Sequence, residues 1–209
     1  MYNSAEPALP FDVIGNIIDI LIGNNAKGLK DVKAFSLTCQ SALPFCRKHI
    51  FSSILIEIGS ASCIGLEELG QLLLETPEIA KFIRQLNICI LEPYIRYSIS
   101  QYSSDQVPAQ LTRLRSLKIS CHAIANWEKM SLSMKRPLLN LMCLPTLDHL
   151  HLELLRHFPI SNLTTCPDIK HLYVDAFIGR HPDLPSRKPI QLHTFELKLW
   201  DRPTALDLL

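Results

Sequence analysis

His149, His151 and Glu153 alternate along one short stretch of the chain, and His171 takes the place of His149 in the next such stretch. On a β-strand successive side chains point to opposite faces, so a His-x-His-x-Glu run sets two imidazoles and a carboxylate side by side. Such a group can ligate a transition metal, because imidazole and carboxylate both bind divalent ions. No metal-site signature accompanies it, and eight histidines among 209 residues bring such groups together by chance. The expectation is that no metal and no other cofactor is held. Cysteine chemistry is the second candidate. The seven cysteines (Cys39, Cys46, Cys63, Cys89, Cys121, Cys143 and Cys166) are odd in number and form no Cys-x-x-Cys pair. Neither a structural zinc site nor a thioredoxin-like motif is therefore supported, and buried, inert thiols in a reducing compartment are expected. Gly-x-Ser-x-Gly, His-Glu-x-x-His and a phosphate-cradling glycine loop are absent, and the chain has only seven glycines. The expectation is that the protein is not an enzyme. A cysteine–histidine hydrolase, whose partners meet only in space, stays open.

The histidines sit inside a recurring phrase: an apolar residue, two variable ones, an apolar residue, one variable, another apolar. It reads Ile83-Arg84-Gln85-Leu86-Asn87-Ile88, then Leu114-Arg115-Ser116-Leu117-Lys118-Ile119, then Leu147-Asp148-His149-Leu150-His151-Leu152. Ile169-Lys170-His171-Leu172-Tyr173-Val174 and Leu192-His193-Thr194-Phe195-Glu196-Leu197 complete the series, with central positions 31, 33, 22 and 23 residues apart. Self-similarity of this size marks a solenoid, in which each unit buries its apolar face against its neighbours. The predicted fold is α/β: a three-helix module, then a short irregular solenoid with parallel strands on its concave face and helices outside. If Leu86 and Ile88 face the core, alternation sends Gln85, Asn87 and Cys89 to the concave face. The same phase places Ser116, Lys118 and Ser120, then His149, His151 and Glu153, then His171, Tyr173 and Asp175, then Thr194, Glu196 and Lys198 on that face. The central ladder Asn87, Lys118, His151, Tyr173 and Glu196, with His149 and His171 beside it, is the predicted partner surface, since aromatic anchors dominate interface energies. An ordinary solvated sheet face is the alternative. These rows lack the arginine cluster that phosphate recognition favours.

Outside the repeats, Leu9-Pro10-Phe11-Asp12 opens a helix well. Proline suits a first turn and Asp12 complements the helix dipole. Ile14, Ile17, Ile18 and Leu21 follow at i, i+3, i+4 and i+7 as one apolar stripe, and Gly23-Asn24-Asn25 ends it. A second helix is expected over 29–41 with Leu29, Val32, Phe35, Leu37 and Cys39 inward, and a third from Leu43 to near Ile50. Residues 53–58 read as the first strand and 62–75 as a helix. A surface loop is expected over 94–110, and a helix over 126–141 with Trp127 and Met130 inward and Pro137 kinking or ending it.

The stretch Leu9-Pro10-x-Asp12-x-Ile14-x-x-Ile17-Ile18-x-x-Leu21, with Phe35-Ser36-Leu37-Thr38-Cys39-Gln40-Ser41 behind it, resembles the F-box motif. Arg47-x-His49-Ile50-Phe51 and the strand after it are similar to the segment on the C-terminal side of an F-box, and the phrases from Glu75-Thr76-Pro77 onward resemble the leucine-rich repeats of F-box proteins. The family commonly carries an aromatic, often Trp, three residues after this cysteine, where this chain has Ala42. The resemblance implies an F-box-like module over 9–51 and a leucine-rich-repeat-like domain over 52–209, with a disordered segment 1–8. It also implies docking of Leu9, Pro10, Ile14, Ile17, Ile18, Leu21, Leu37 and Leu43 on the Skp adaptor of a cullin–RING ubiquitin ligase, the repeats holding a protein substrate. The alternative is a leucine-rich-repeat interaction module whose N-terminal helices only cap it.

Net charge is +1, and no basic stripe marks a nucleic-acid partner. No secretory signal is visible, and the most apolar stretch, 11–22, is too short and polar to span a bilayer, so no membrane partner and a cytoplasmic or nuclear place are expected. The apolar ending Ala205-Leu206-Asp207-Leu208-Leu209 resembles the start of another unit, so a C-terminal cap is expected to be lacking and the last strand to fray.

Overall fold

The computed structural model describes residues 10–23, 26–38, 40–59, 65–91, 107–166, 168–177 and 192–198. Leu9, segment 1–8, residues 24–25, Cys39, Cys63 and Ile64, segment 94–106 and the chain after Lys198 lie outside the described residues. The chain divides into two units, Met1–Ser53 and Ile54–Leu209.

The first unit holds three helices, α1 (Phe11–Gly23), α2 (Ala26–Thr38) and α3 (Leu43–Ile50), with a 3-10 turn at Gln40–Ala42. Pro10 opens α1, its carbonyl accepting from the amides of Val13 and Ile14. Burial of the apolar stripe holds the helices together. Ile14 and Ile18 from α1, Val32 from α2, Ala42, and Cys46 from α3 form the core, with Leu21, Ile22, Phe35, Phe45 and Ile50 packed around it. The crossing of α1 and α2 depends on Gly28, where a Cβ would collide with the Leu21 carbonyl oxygen. α2 begins at Ala26, before the expected residue 29, so Gly28 lies inside it. Its inner face runs through Gly28, Val32 and Phe35, at i, i+4 and i+7. Leu37 falls outside this phase and is 88% exposed, and Leu29 is exposed too, contrary to their expected inward positions. Ala42 is fully buried, and an aromatic is supplied nearby by Phe45, which stacks on Phe11 at 5.9 Å between ring centres.

The second unit is an α/β fold around a six-stranded, all-parallel sheet. Its strands are β1 (Ser53–Ile58), β2 (Gln85–Ile90), β3 (Ser116–Asn126), β4 (His149–Arg156), β5 (His171–Phe177) and β6 (Thr194–Lys198). They lie in sequence order, so every connection joins adjacent strands. The five repeated phrases form β2 to β6. The connections contain helix α4 (Leu66–Glu75), a helical segment at 107–110 (α5), helix α6 (Leu132–Met142) and 3-10 turns at Pro77–Phe82, Trp127–Lys129 and Ile160–Thr165. Leu86, Ile88 and Ile90, Leu117, Ile119 and Cys121, Leu150 and Leu152, and Leu172 and Val174 are buried on one face of the sheet. Leu66, Leu69 and Leu73 of α4 and Met134, Leu138 and Leu141 of α6 are buried at helical spacing. On β6 the core-phase residue Phe195 is exposed.

Two expectations fail here for local reasons. The expected single helix over 126–141 starts twice, because both Asn126 and Ser131 act as N-terminal caps. Asn126 Oδ1 accepts from the Glu128 amide at 2.9 Å, and Ser131 Oγ accepts from the Met134 amide at 3.3 Å. Trp127 and Met130 are buried as expected, whereas Pro137 sits inside α6 rather than ending it. The surface loop expected over 94–110 fails at its end, where 107–110 are helical and Val107, with Leu111 at i+4, is fully buried.

Candidate functional site

In-register pairing of β2 to β6 turns three alternate positions of each phrase into rows across the sheet. The first row is Gln85, Ser116, His149, His171 and Thr194, and the central one is Asn87, Lys118, His151, Tyr173 and Glu196. The third is Cys89, Ser120, Glu153, Asp175 and Lys198. Parallel sheets ordinarily carry apolar residues on both faces because helices cover both. Here one face is apolar and the other polar.

Neighbouring strands lie about 4.8 Å apart, which is ring-stacking distance. His149 accordingly stacks on His171 at 4.1 Å and His151 on Tyr173 at 4.0 Å between ring centres. His193, just before β6, meets the edge of His171. His171 Nδ1 and Thr194 Oγ1 are hydrogen-bonded at 2.7 Å. Asp148 bonds His149 through one oxygen and Arg115 through the other, the latter at 3.2 Å. Burial alone raises the Asp148 carboxyl, but the contacts from His149 and Arg115 outweigh it and hold the group below its ordinary range. The Thr194 hydroxyl bonds His171, not His149, so carboxylate, imidazole and hydroxyl do not line up as a nucleophilic relay.

Charges within the rows are largely compensated. Lys118 Nζ lies 2.7 Å from Glu153 Oε2, and its hydrogen bond holds that carboxyl low. Asp175, expected on the open face, is buried, with Lys198 Nζ at 3.7 Å. His151 is pushed below its usual value by burial and by Lys118, against the pull of Glu153, Asp175 and Glu196. Its Nε2 is buried without a hydrogen-bond partner, 3.8 Å from Glu153 Oε2. Among the described residues, no three His, Cys, Asp or Glu donors converge on a metal position. Burial, with Cys89 adding to it, raises the Cys121 thiol to about 12, so that sulfur is no ready nucleophile.

In the first unit the expected docking residues separate into two sets. Ile14 and Ile18 are buried in the unit's own core and have no surface to offer a partner. Pro10 and Leu37 are exposed, Ile17, Leu21 and Leu43 are half-buried, and Leu9 is outside the described residues. Two residues missed from the sequence, Val13 and Ile20, join Ile17 of that set. Val13, Ile17 and Ile20 lie at i, i+4 and i+7 on α1 as a second apolar stripe, and Ile20 is 65% exposed. The signal was present as an apolar repeat offset by one residue from the core stripe. Asp19 and His49 tie α1 to α3 at 3.1 Å, and burial keeps the His49 pKa low despite Asp19.

No protein-family model, characterised protein or solved structure matches the chain. Among the described residues, no helix is long and apolar enough to cross a membrane.

Proposed function

We propose that this chain is a substrate-recognition subunit of a cullin–RING ubiquitin ligase. In this reading the first unit is an F-box-like module docked on the Skp adaptor, and the second is a leucine-rich-repeat-like domain whose polar face holds a protein substrate. The chain carries out no bond chemistry itself and brings the substrate to the ligase.

The observation that carries the reading is the outward stripe of Val13, Ile17 and Ile20 on α1. A helix with apolar residues on two sides has one side more than its own core uses, and a unit of roughly 50 residues gains stability by covering such a surface with a partner. Phe11, Leu29 and Leu37 are further exposed apolar side chains of the same unit. The resemblance of residues 9–51 to the F-box motif supplies the partner's identity. Support for substrate holding comes from the single polar face of the sheet, where His149, His171, His151 and Tyr173 form two ring stacks of the kind that anchors interfaces.

Capture of a purified Skp adaptor–cullin complex tests the reading, with the variant Ile20→Asp/Leu37→Asp alongside. Both side chains are exposed, so the variant keeps its fold. Wild type is expected to capture the complex and the variant to lose at least about ten-fold in affinity, since each charge is forced against an apolar contact. A folded wild type that captures nothing rejects the adaptor reading and leaves the three helices as a cap.

A further inference from the structure

We infer that the polar face holds its substrate by an arginine side chain, whose guanidinium lies on the Tyr173 ring and forks the Glu196 carboxylate. Strands β5 and β6 set three outward pairs side by side: His171 with Thr194, Tyr173 with Glu196, and Asp175 with Lys198. The two flanking pairs are closed. His171 Nδ1 and Thr194 Oγ1 are hydrogen-bonded at 2.7 Å, and Lys198 Nζ lies 3.7 Å from Asp175 Oδ2. The middle pair is open. Among the described residues, the Tyr173 hydroxyl makes no hydrogen bond, and Glu196 makes neither a hydrogen bond nor an ion pair.

Charge is left over at the same place. Within the three rows, Glu153, Asp175 and Glu196 face Lys118 and Lys198. Lys118 is committed to Glu153 at 2.7 Å and Lys198 lies beside Asp175, so the remaining carboxylate is Glu196. Glu196 is exposed, and its field reaches His151 on the far side of Tyr173. Tyr173 is half-buried, and His151 covers one face of its ring at 4.0 Å between centres. Since His151 is on β4, the other face of the ring is turned toward β6 and Glu196. A ring face and a lone carboxylate one strand spacing apart, about 4.8 Å, suit a flat cation. Guanidinium is that group, because it stacks on aromatic faces and offers two parallel N–H donors to a carboxylate. A lysine ammonium is compact, strongly hydrated and has no fork. An apolar side chain would strip water from Glu196 without pairing it.

The arginine site rests on the substrate-holding role proposed for the polar face. The test offers the immobilised full chain a library of peptides with random flanks around a central arginine. The same library is offered with lysine, or with citrulline, the neutral isostere of arginine, in that place. The variants are Glu196→Gln and, as a control, Glu78→Gln, which removes an exposed carboxylate outside the rows. Both side chains are exposed, so both variants keep the fold. A charge-assisted fork gives about ten- to a hundred-fold preference for arginine over citrulline, and arginine should also be preferred to lysine. Glu196→Gln should lose both preferences and Glu78→Gln should keep both. Equal retention of arginine and citrulline peptides by the folded chain overturns the inference, as does an undiminished preference in Glu196→Gln. Loss of preference in Glu78→Gln marks a general attraction to carboxylates and overturns it as well. Lysine held as tightly as arginine overturns the guanidinium assignment. Adaptor capture uses only the first unit. A chain that captures the adaptor without preferring arginine peptides refutes the arginine site alone, and the reverse result refutes the ligase reading alone.

Discussion

His151 shows how one side chain couples the polar face to pH. Its pKa and that of His49 both lie below the ordinary 6.5 in the folded chain, chiefly because burial disfavours the charged ring. The unfolded chain therefore takes up these protons first, and stability falls as pH drops from about 6.5 through the folded values. Glu153 and Asp148 act in the same direction at lower pH. Their folded pKa values lie below 4.5 and 3.8, so their contribution is present above those values and lost as pH falls through the folded ones. The thermal midpoint should accordingly decrease between pH 7.5 and 5.5, and His151→Gln should reduce that decrease. Differential scanning calorimetry across the range decides it, and a midpoint that rises on acidification contradicts the assigned environments. The residues of this ladder were legible in the sequence because strict alternation and a fixed phrase dictate which side chains share a face. Their pairings were not: Lys118 with Glu153 and Asp148 with Arg115, partners 35 and 33 residues apart in the chain, meet only because β3 and β4 come into register.

At the scale of elements, strands were easier to foresee than helix phases. A period-two pattern repeated five times leaves little freedom in the register, whereas α2 has a weak apolar pattern and its phase is set by a backbone contact. Gly28 gives no hydrophobic signal, yet it decides how closely α2 approaches α1. Gly28→Ala places a methyl group against the Leu21 carbonyl, and the first unit should lose about 1–3 kcal/mol, the usual cost of overpacking, despite alanine's better helix propensity. Urea unfolding monitored by circular dichroism checks this, and an unchanged or higher midpoint refutes the close crossing. The segment 126–141 misled for a different reason. Its apolar residues fit one helix, but two capping residues, Asn126 and Ser131, divide it, and cap chemistry overrides periodicity locally. Pro137 is tolerated within α6, at the cost of one backbone hydrogen bond.

Across the whole molecule, one unit with spare apolar surface precedes one with a polar sheet face. The α/β class and the parallel strands could be read from the phrase, because a short apolar repeat at this spacing has few ways to bury itself. The outward stripe of α1 was present in the sequence as an apolar repeat one residue off the core stripe, but which of the two stripes is core is fixed only by the packing of α2 and α3. That outward stripe is the basis for the proposed ligase role. Amide hydrogen exchange of the full chain, with and without saturating Skp adaptor, tests it most directly. The account predicts slower exchange in α1, around Val13, Ile17 and Ile20, and in α2 near Leu37, with β2 to β6 unchanged. Exchange in the three helices that stays the same at saturating adaptor would contradict the proposed docking.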